Sequence, residues 1–345
     1  MAGRRQHDIP RFLQKGFASR TDGKKAFVWM HRRGHEGIEV ETSNVGLETD
    51  FYGKSGPATL DEQITQLETD YSNLVADLRT RPHGYRVEEP SVPNLIAHLC
   101  VRTRFLRHAF KDPALQTIDH VYHSLQDEEI LRGLVLHHPA FQKHANRFRT
   151  LGAAPEEVEG LMLKLLENNR AKIAAALERF THEARASATD GVRDAHNRSL
   201  SEDPSATERA GSYARLGWFI VEAKEPLLLG DSVCVFETAG GRRFKPLDDK
   251  GDDIRRILLP ISSDRLLVGT ASGACPELDF HLVTKAVIRC SYEYFISPCK
   301  LPAESSLVKS IGEWSALIGS NELSIALDEL VKEKTEPSLR GPTTP

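Results

Sequence analysis

His7-Asp8-Ile9-Pro10-Arg11-Phe12-Leu13-Gln14-Lys15-Gly16-Phe17 stands near the start of the chain, and its reading decides the fold. A titratable histidine sits just ahead of a proline-gated apolar run. A terminal segment this short stays ordered only by docking on something larger. Ile9, Pro10, Phe12 and Phe17 form the anchor. They are expected to pack where an N-terminal hairpin meets a C-terminal sheet, with His7 held in place by that packing.

Working outward, residues 25–31 read as a strand, 32–37 as a turn, and 38–45 as a second strand that begins with apolar and polar residues in alternation. Glu39 and Glu41 then share a solvent face. A helix opens at Thr59-Leu60-Asp61-Glu62, a capping-box pattern. Ile64, Leu67, Tyr71, Leu74, Val75 and Leu78 recur at helical spacing up to Arg81-Pro82-His83-Gly84. A second helix runs from Pro93 to Phe110 on the core face Leu95, Ile96, Leu99, Thr103, Leu106 and Phe110. Residues 118–150 are helical with an interruption at Pro139. The clearest helix spans 155–187, with Pro155 in its first turn and Glu156, Glu157 and Glu159 at its positive dipole end.

The composition turns polar over 187–212, as in a mobile linker or a polar helical tail, and then strand-like. Leu216–Val221, Leu227–Leu229, Val233–Phe236, Ile257–Leu259, Leu266–Gly269 and Glu293–Ile296 read as strands. Helices are expected near 279–290 and 321–334. The fold class is therefore α+β. A helical middle is flanked by strands from the N-terminal hairpin and the C-terminal half, in one mixed body. The expected division is a docking segment and hairpin over 1–55, a helical region over 56–190 and a polar linker over 191–212. A C-terminal α+β region follows over 213–335, with a disordered tail over 336–345.

The chain has 345 residues, 40% hydrophobic and 27% charged, enough for a sizeable core. A net charge of −4 and a pI near 6.4 argue against a globally basic nucleic-acid binder. A local basic patch at Arg104, Arg107, His108 and Lys111 could still meet nucleic-acid phosphate, or be a plain surface face. No apolar run is long enough for a membrane span, and no secretory pattern follows the basic first residues, so a cytoplasmic location and no membrane partner are expected. Five scattered cysteines contain no C-x-x-C pair. They give neither a zinc ribbon nor a disulfide framework.

These stretches together resemble a bacterial family called domain of unknown function 4238. The resemblance rests on His7-Asp8-Ile9-Pro10 through Phe17, Asp50-Phe51-Tyr52, Leu67-Glu68 and Asn94-Leu95-Ile96-Ala97 with Arg102 and Arg104. It continues in Leu229-Gly230-Asp231-Ser232-Val233 and Leu259-Pro260-Ile261-Ser262, and spans about residues 7–297. Leu13 and Gln14 are shifted by one from the family spacing, and Ser232-Val233 replaces an Asn-Pro. The resemblance implies a fold context and no activity.

His7 is the sharpest chemical candidate, as general acid or base, or as a group that merely hydrogen-bonds the first turn. Asn94, His98 and Arg102 fall at i, i+4 and i+8 on one helical stripe. They are candidates for binding a phosphate or carboxylate, or for a structural network. Glu68 is expected to pair with Arg102 or Arg104. Asp231 ends a strand, where an acid could bind metal or simply make a turn. His31 and His35 are separated by a loop-like Arg-Arg-Gly, so a zinc site there is weak. No P-loop, G-x-G-x-x-G, H-E-x-x-H or G-x-S-x-G is present.

Two expectations follow. One is a metal-dependent phosphodiesterase or nuclease with His7, Glu68 and Asp231 catalytic, a divalent ion as cofactor, and Asn94, His98, Arg102 and Arg104 on substrate. The other is a non-catalytic module that docks a protein partner through its helical surface.

Overall fold

A computed structural model gives the fold and describes residues 5–53, 59–152, 154–240, 242–317 and 319–335. The tail expected over 336–345 lies outside these residues. The first elements are β1 (Arg5–His7), the short helix α1 (Arg11–Gln14), β2 (Arg20–Asp22), β3 (Lys25–Arg32), β4 (Ile38–Glu41) and β5 (Leu47–Thr49). Helices follow: α2 (Leu60–Thr80), then after β6 (Arg86–Val87), α3 (Val92–Arg102), α4 (Arg104–Gln126), α5 (Glu128–His137), α6 (Pro139–Thr150), α7 (Pro155–Asn168), α8 (Arg170–Ser201) and α9 (Glu208–Tyr213). The C-terminal half holds β7 (Gly217–Glu222), β8 (Leu229–Gly230), β9 (Val235–Thr238), β10 (Phe244–Lys245), β11 (Ile254–Pro260) and β12 (Arg265–Thr270). It ends with α10 (Phe280–Cys290), β13 (Tyr294–Ser297), α11 (Ser306–Lys309) and α12 (Ser320–Thr335).

The α+β class holds. The expected joining of the hairpin to the C-terminal half is direct: β3 pairs antiparallel with both β4 and β13, and Ile296 sits opposite Met30. The alternation Ala26, Val28, Met30 puts these three side chains in the core. A second, six-stranded sheet runs β10-β9-β11-β12-β7-β6, and β1 pairs with β5 in a small third one.

The opening anchor docks as expected. Ile9, Leu13 and Phe17 are fully buried in the same core cluster as Leu259, Ile261 and Phe295. The main chain joins there as well. Ser263 N donates to Gly16 O at 2.9 Å, and Arg79 Nε donates to Ile261 O at 2.7 Å while its Nη2 reaches Phe12 O and Leu13 O. A Cβ on Gly16 would lie 2.4 Å from Ile261 O, so only glycine permits this approach. Pro10 stands at the N-cap of α1 rather than inside it.

Two expected helices are each broken by one polar residue. The helix read over 93–110 divides at Thr103, which is extended (φ −70°, ψ 148°) and accepts Leu106 N on its Oγ1. That is an N-cap, a role threonine favours. Phe110 is then exposed rather than core. The helix read over 155–187 divides at Asn169, whose Nδ2 donates to Leu165 O at 2.8 Å. The stretch read as a polar linker, 191–212, is the end of α8, a 3-10 turn (Pro204–Ala206) and α9.

The chain divides into two compact units. Unit 1 comprises 1–109 and 193–317, with all three sheets; unit 2 comprises 110–192 and 318–345, and the elements among its described residues are helices. The helical region read as 56–190 is thus shared: α2 and α3 belong to unit 1. Among the described residues, Ala145 and Val158 are the buried apolar side chains of unit 2. No helix is long and apolar enough to cross a membrane among the described residues.

Candidate functional site

The first residues of unit 1 build a polar network under the anchor. β1 presents the His7 carbonyl to two donors, Tyr52 Oη at 2.9 Å and Arg102 Nη2 at 2.9 Å. Arg102, at the end of α3, also donates its Nε to Tyr52 Oη at 2.7 Å and ion-pairs through Nη1 with Glu68 of α2. Burial alone would lower the Arg102 guanidinium, but Tyr52 and Glu68 more than offset it and hold it above its ordinary value. The expected pairing of Glu68 is therefore with Arg102. His7 itself places Nδ1 2.9 Å from Val45 O, and burial lowers its pKa. The imidazole is neutral and tied to a main-chain oxygen.

Asp8, next to His7, joins the network although no local pattern in the sequence marks it. Its side chain is fully buried, its Oδ1 accepts Ile9 N at 2.8 Å, and its Oδ2 lies 3.8 Å from Arg104 Nε. Burial pushes the carboxyl up to about 6 against the pull of Arg104. Arg104 in turn reaches Glu48 at 3.3 Å and Glu293 at 3.5 Å. Arg107 adds Glu48, Phe51 O at 2.7 Å and His196 Nδ1 at 3.1 Å. The basic patch thus spends Arg104 and Arg107 on the chain's own acceptors, and His108 stacks on Tyr292 with centroids 5.0 Å apart.

Asp231 lies after β8. Its carboxylate accepts three main-chain donors, Tyr292 N at 2.6 Å, Glu293 N at 2.6 Å and Tyr294 N at 3.1 Å. Burial pushes it up to about 7 against those bonds, with a smaller rise from Asp8. The next turn is tight: Val233 sits at φ 64°, where a β-branched residue is strained. This arrangement fixes the entry to β13. Three of the carboxylate's roughly four acceptor sites are thus taken by the main chain.

The stripe Asn94, His98, Arg102 does not converge. Arg102 enters the network, His98 packs on Tyr71 with centroids 5.6 Å apart, and Asn94 is half-buried on α3. A turn of 3.6 residues drifts about 40° with each i+4 step, so three such residues point increasingly apart. Burial pushes His98 down to about 3. His7, Glu68, Arg102 and Arg104 are brought together, with Asp231 beside them behind Tyr294. Among the described residues no group of three or more His, Cys, Asp or Glu could hold a metal ion. Tyr52, Asp8, Glu48 and Glu293 complete the network unanticipated. The one signal for Tyr52 was its place beside Asp50-Phe51 in the family-like stretch.

The chain matches, over residues 5–290, the family model described as "Protein of unknown function (DUF4238)", and it belongs to that family. No curated protein and no solved structure matches it.

Proposed function

We propose that this member of the DUF4238 family is a non-catalytic docking protein whose unit 2 receives a basic amphipathic helix of a protein partner along α7. One observation carries the reading. Of the ten large apolar side chains exposed among the described residues, nine belong to unit 2. Two of them, Leu161 and Leu165, stand one turn apart on α7, three and seven residues after buried Val158 and on the same stripe of the helix. Apolar residues at i and i+4 form the ridge that a second helix packs against. The flanks of α7 carry Glu156, Glu157, Glu159 and Glu167 against Lys164, so a basic partner fits their charge.

A fluorescent Leu/Lys amphipathic helix and its Leu/Glu counterpart, each titrated into the full chain, test this. The basic peptide is expected to bind saturably and the acidic one not. No binding, or equal binding of both, would contradict it.

The reading as a phosphate-ester hydrolase draws on a different observation, the meeting of His7, Glu68, Arg102 and Arg104. It is the weaker of the two. The Arg102 donors are engaged by Tyr52, His7 O and Glu68, and Asp231 is engaged by three main-chain N–H groups. Metal-dependent cleavage of single-stranded nucleic acid that disappears in His7→Ala would favour it. Absence of cleavage by the wild type would remove it.

A further inference from the structure

Unit 1 contains a cavity of about 960 Å³ lined by α3, α9 and the loop 248–254. Its size is within the range of small-molecule sites, about 300–1,000 Å³. We propose that it binds a small organic cation bearing an amine or guanidine group.

Three features point to that chemistry. First, His98 lines the cavity at 2% exposure, and its Nε2 has no hydrogen-bond partner among the described residues. A buried nitrogen left so costs about 1–3 kcal/mol, which a ligand's N–H would offset. The imidazole is neutral and so can accept that bond.

Second, Asp248 is 8% exposed and receives Arg209 Nη1 and Tyr213 Oη, each at 2.7 Å, on the same Oδ1. The carboxylate also takes a backbone N–H, its own, and no side-chain donor is seen on Oδ2 among the described residues. Tyr213 and Arg209 fix the carboxylate's orientation before any ligand arrives, so little ordering cost remains.

Third, six carboxylates line the cavity against three basic side chains. Four of the six are already paired, Asp248 with Arg209, Glu208 with Lys250, and Asp249 and Asp252 with Lys245 from outside the lining. Glu202 and Asp253 stand exposed at the rim with no ion pair among the described residues. The excess repels an anion and attracts a cation. A metal ion fits less well, since no cluster of ligating side chains is present among the described residues.

Titration calorimetry of the full chain with spermidine, arginine, magnesium chloride and citrate tests the proposal. Spermidine or arginine is expected to bind saturably at one site. The double variant Glu202→Gln/Asp253→Asn changes exposed residues only, and is expected to weaken that binding by about tenfold or more. His98→Phe is expected to weaken it too, with folding checked by the thermal transition. No saturable binding of either cation, binding of magnesium or citrate in their place, or unchanged affinity in the double variant would overturn it.

Discussion

Arg102 holds the main-chain oxygen of His7 at 2.9 Å, and so ties the end of α3 to the first strand of the chain. Tyr52 bridges the same two residues, and Glu68 balances the charge. Removing the buried guanidinium leaves the His7 carbonyl and the Tyr52 hydroxyl without their donor, and part-exposed Glu68 without its partner, at a cost of about 1–3 kcal/mol for each buried group. Arg102→Met is therefore expected to destabilise unit 1 by that amount. Arg102→Lys should recover only part, because an ammonium lacks the planar fork that serves three acceptors. Urea denaturation checks both; a loss under about 1 kcal/mol in Arg102→Met would contradict the network's structural role.

Asp231 is expected to behave as a structural acceptor. Its three bonds go to consecutive N–H groups at 292–294. Charge-assisted bonds of this kind are worth about 1.5–3 kcal/mol each, though not additively. Asp231→Ala should cost about 3 kcal/mol or more and expose the β13 entry to hydrogen exchange. Wild-type stability in this variant would be inconsistent with that role.

The stability of unit 1 should depend on pH through Asp8. Its folded carboxyl is pushed up to about 6, above the unfolded value near 3.9. A raised folded pKa contributes stability that is full below the unfolded value and is lost as pH rises through the folded one. The wild type should thus lose about 2–3 kcal/mol from this group between about pH 4 and pH 7. Asp231, pushed up to about 7, acts in the same direction. Asp8→Asn should flatten the dependence, as read by denaturation at each pH. A wild-type stability that climbs over that range would show the sign to be wrong.

Gly46 is expected to tolerate no side chain. It sits at φ 59°, and a Cβ there would lie 1.9 Å from Asp8 Oδ1 and 2.7 Å from Tyr294 Oη. Strain in the backbone costs about 1–3 kcal/mol, before the displacement of Asp8 is added. Gly46→Ala should lower the thermal midpoint well beyond the effect of Gly23→Ala. Gly23 also has a positive φ but open space around it. Equal effects would mean the packing at Asp8 is looser than described.

What was legible in the sequence was what local pattern encodes. The period-two run through Ala26, Val28 and Met30 marks β3, and the apolar content of Ile9-Pro10 to Phe17 marks the anchor. The cap residues were not legible. Thr103 and Asn169 read as single polar residues inside helical patterns, and only the broken backbone reveals them as caps. Strands of two or three residues, such as β1, β5 and β6, carry too little pattern, since their partners define them. The site residues divide similarly. Glu68 with an arginine was foreseeable from neighbouring helices. A buried Asp8 was not, because it depends on Arg104 and Gly46, both distant in sequence.

The docking face on α7 is the central claim, and one comparison tests it most directly. Affinity for the basic amphipathic helix is measured in Leu161→Ser/Leu165→Ser and in His7→Ala, both in the full chain. The account predicts that the first loses about tenfold or more, since buried apolar anchors carry most of an interface's binding energy, while the second binds as the wild type does. Full binding by the leucine variant, or loss of binding in His7→Ala alone, would contradict it.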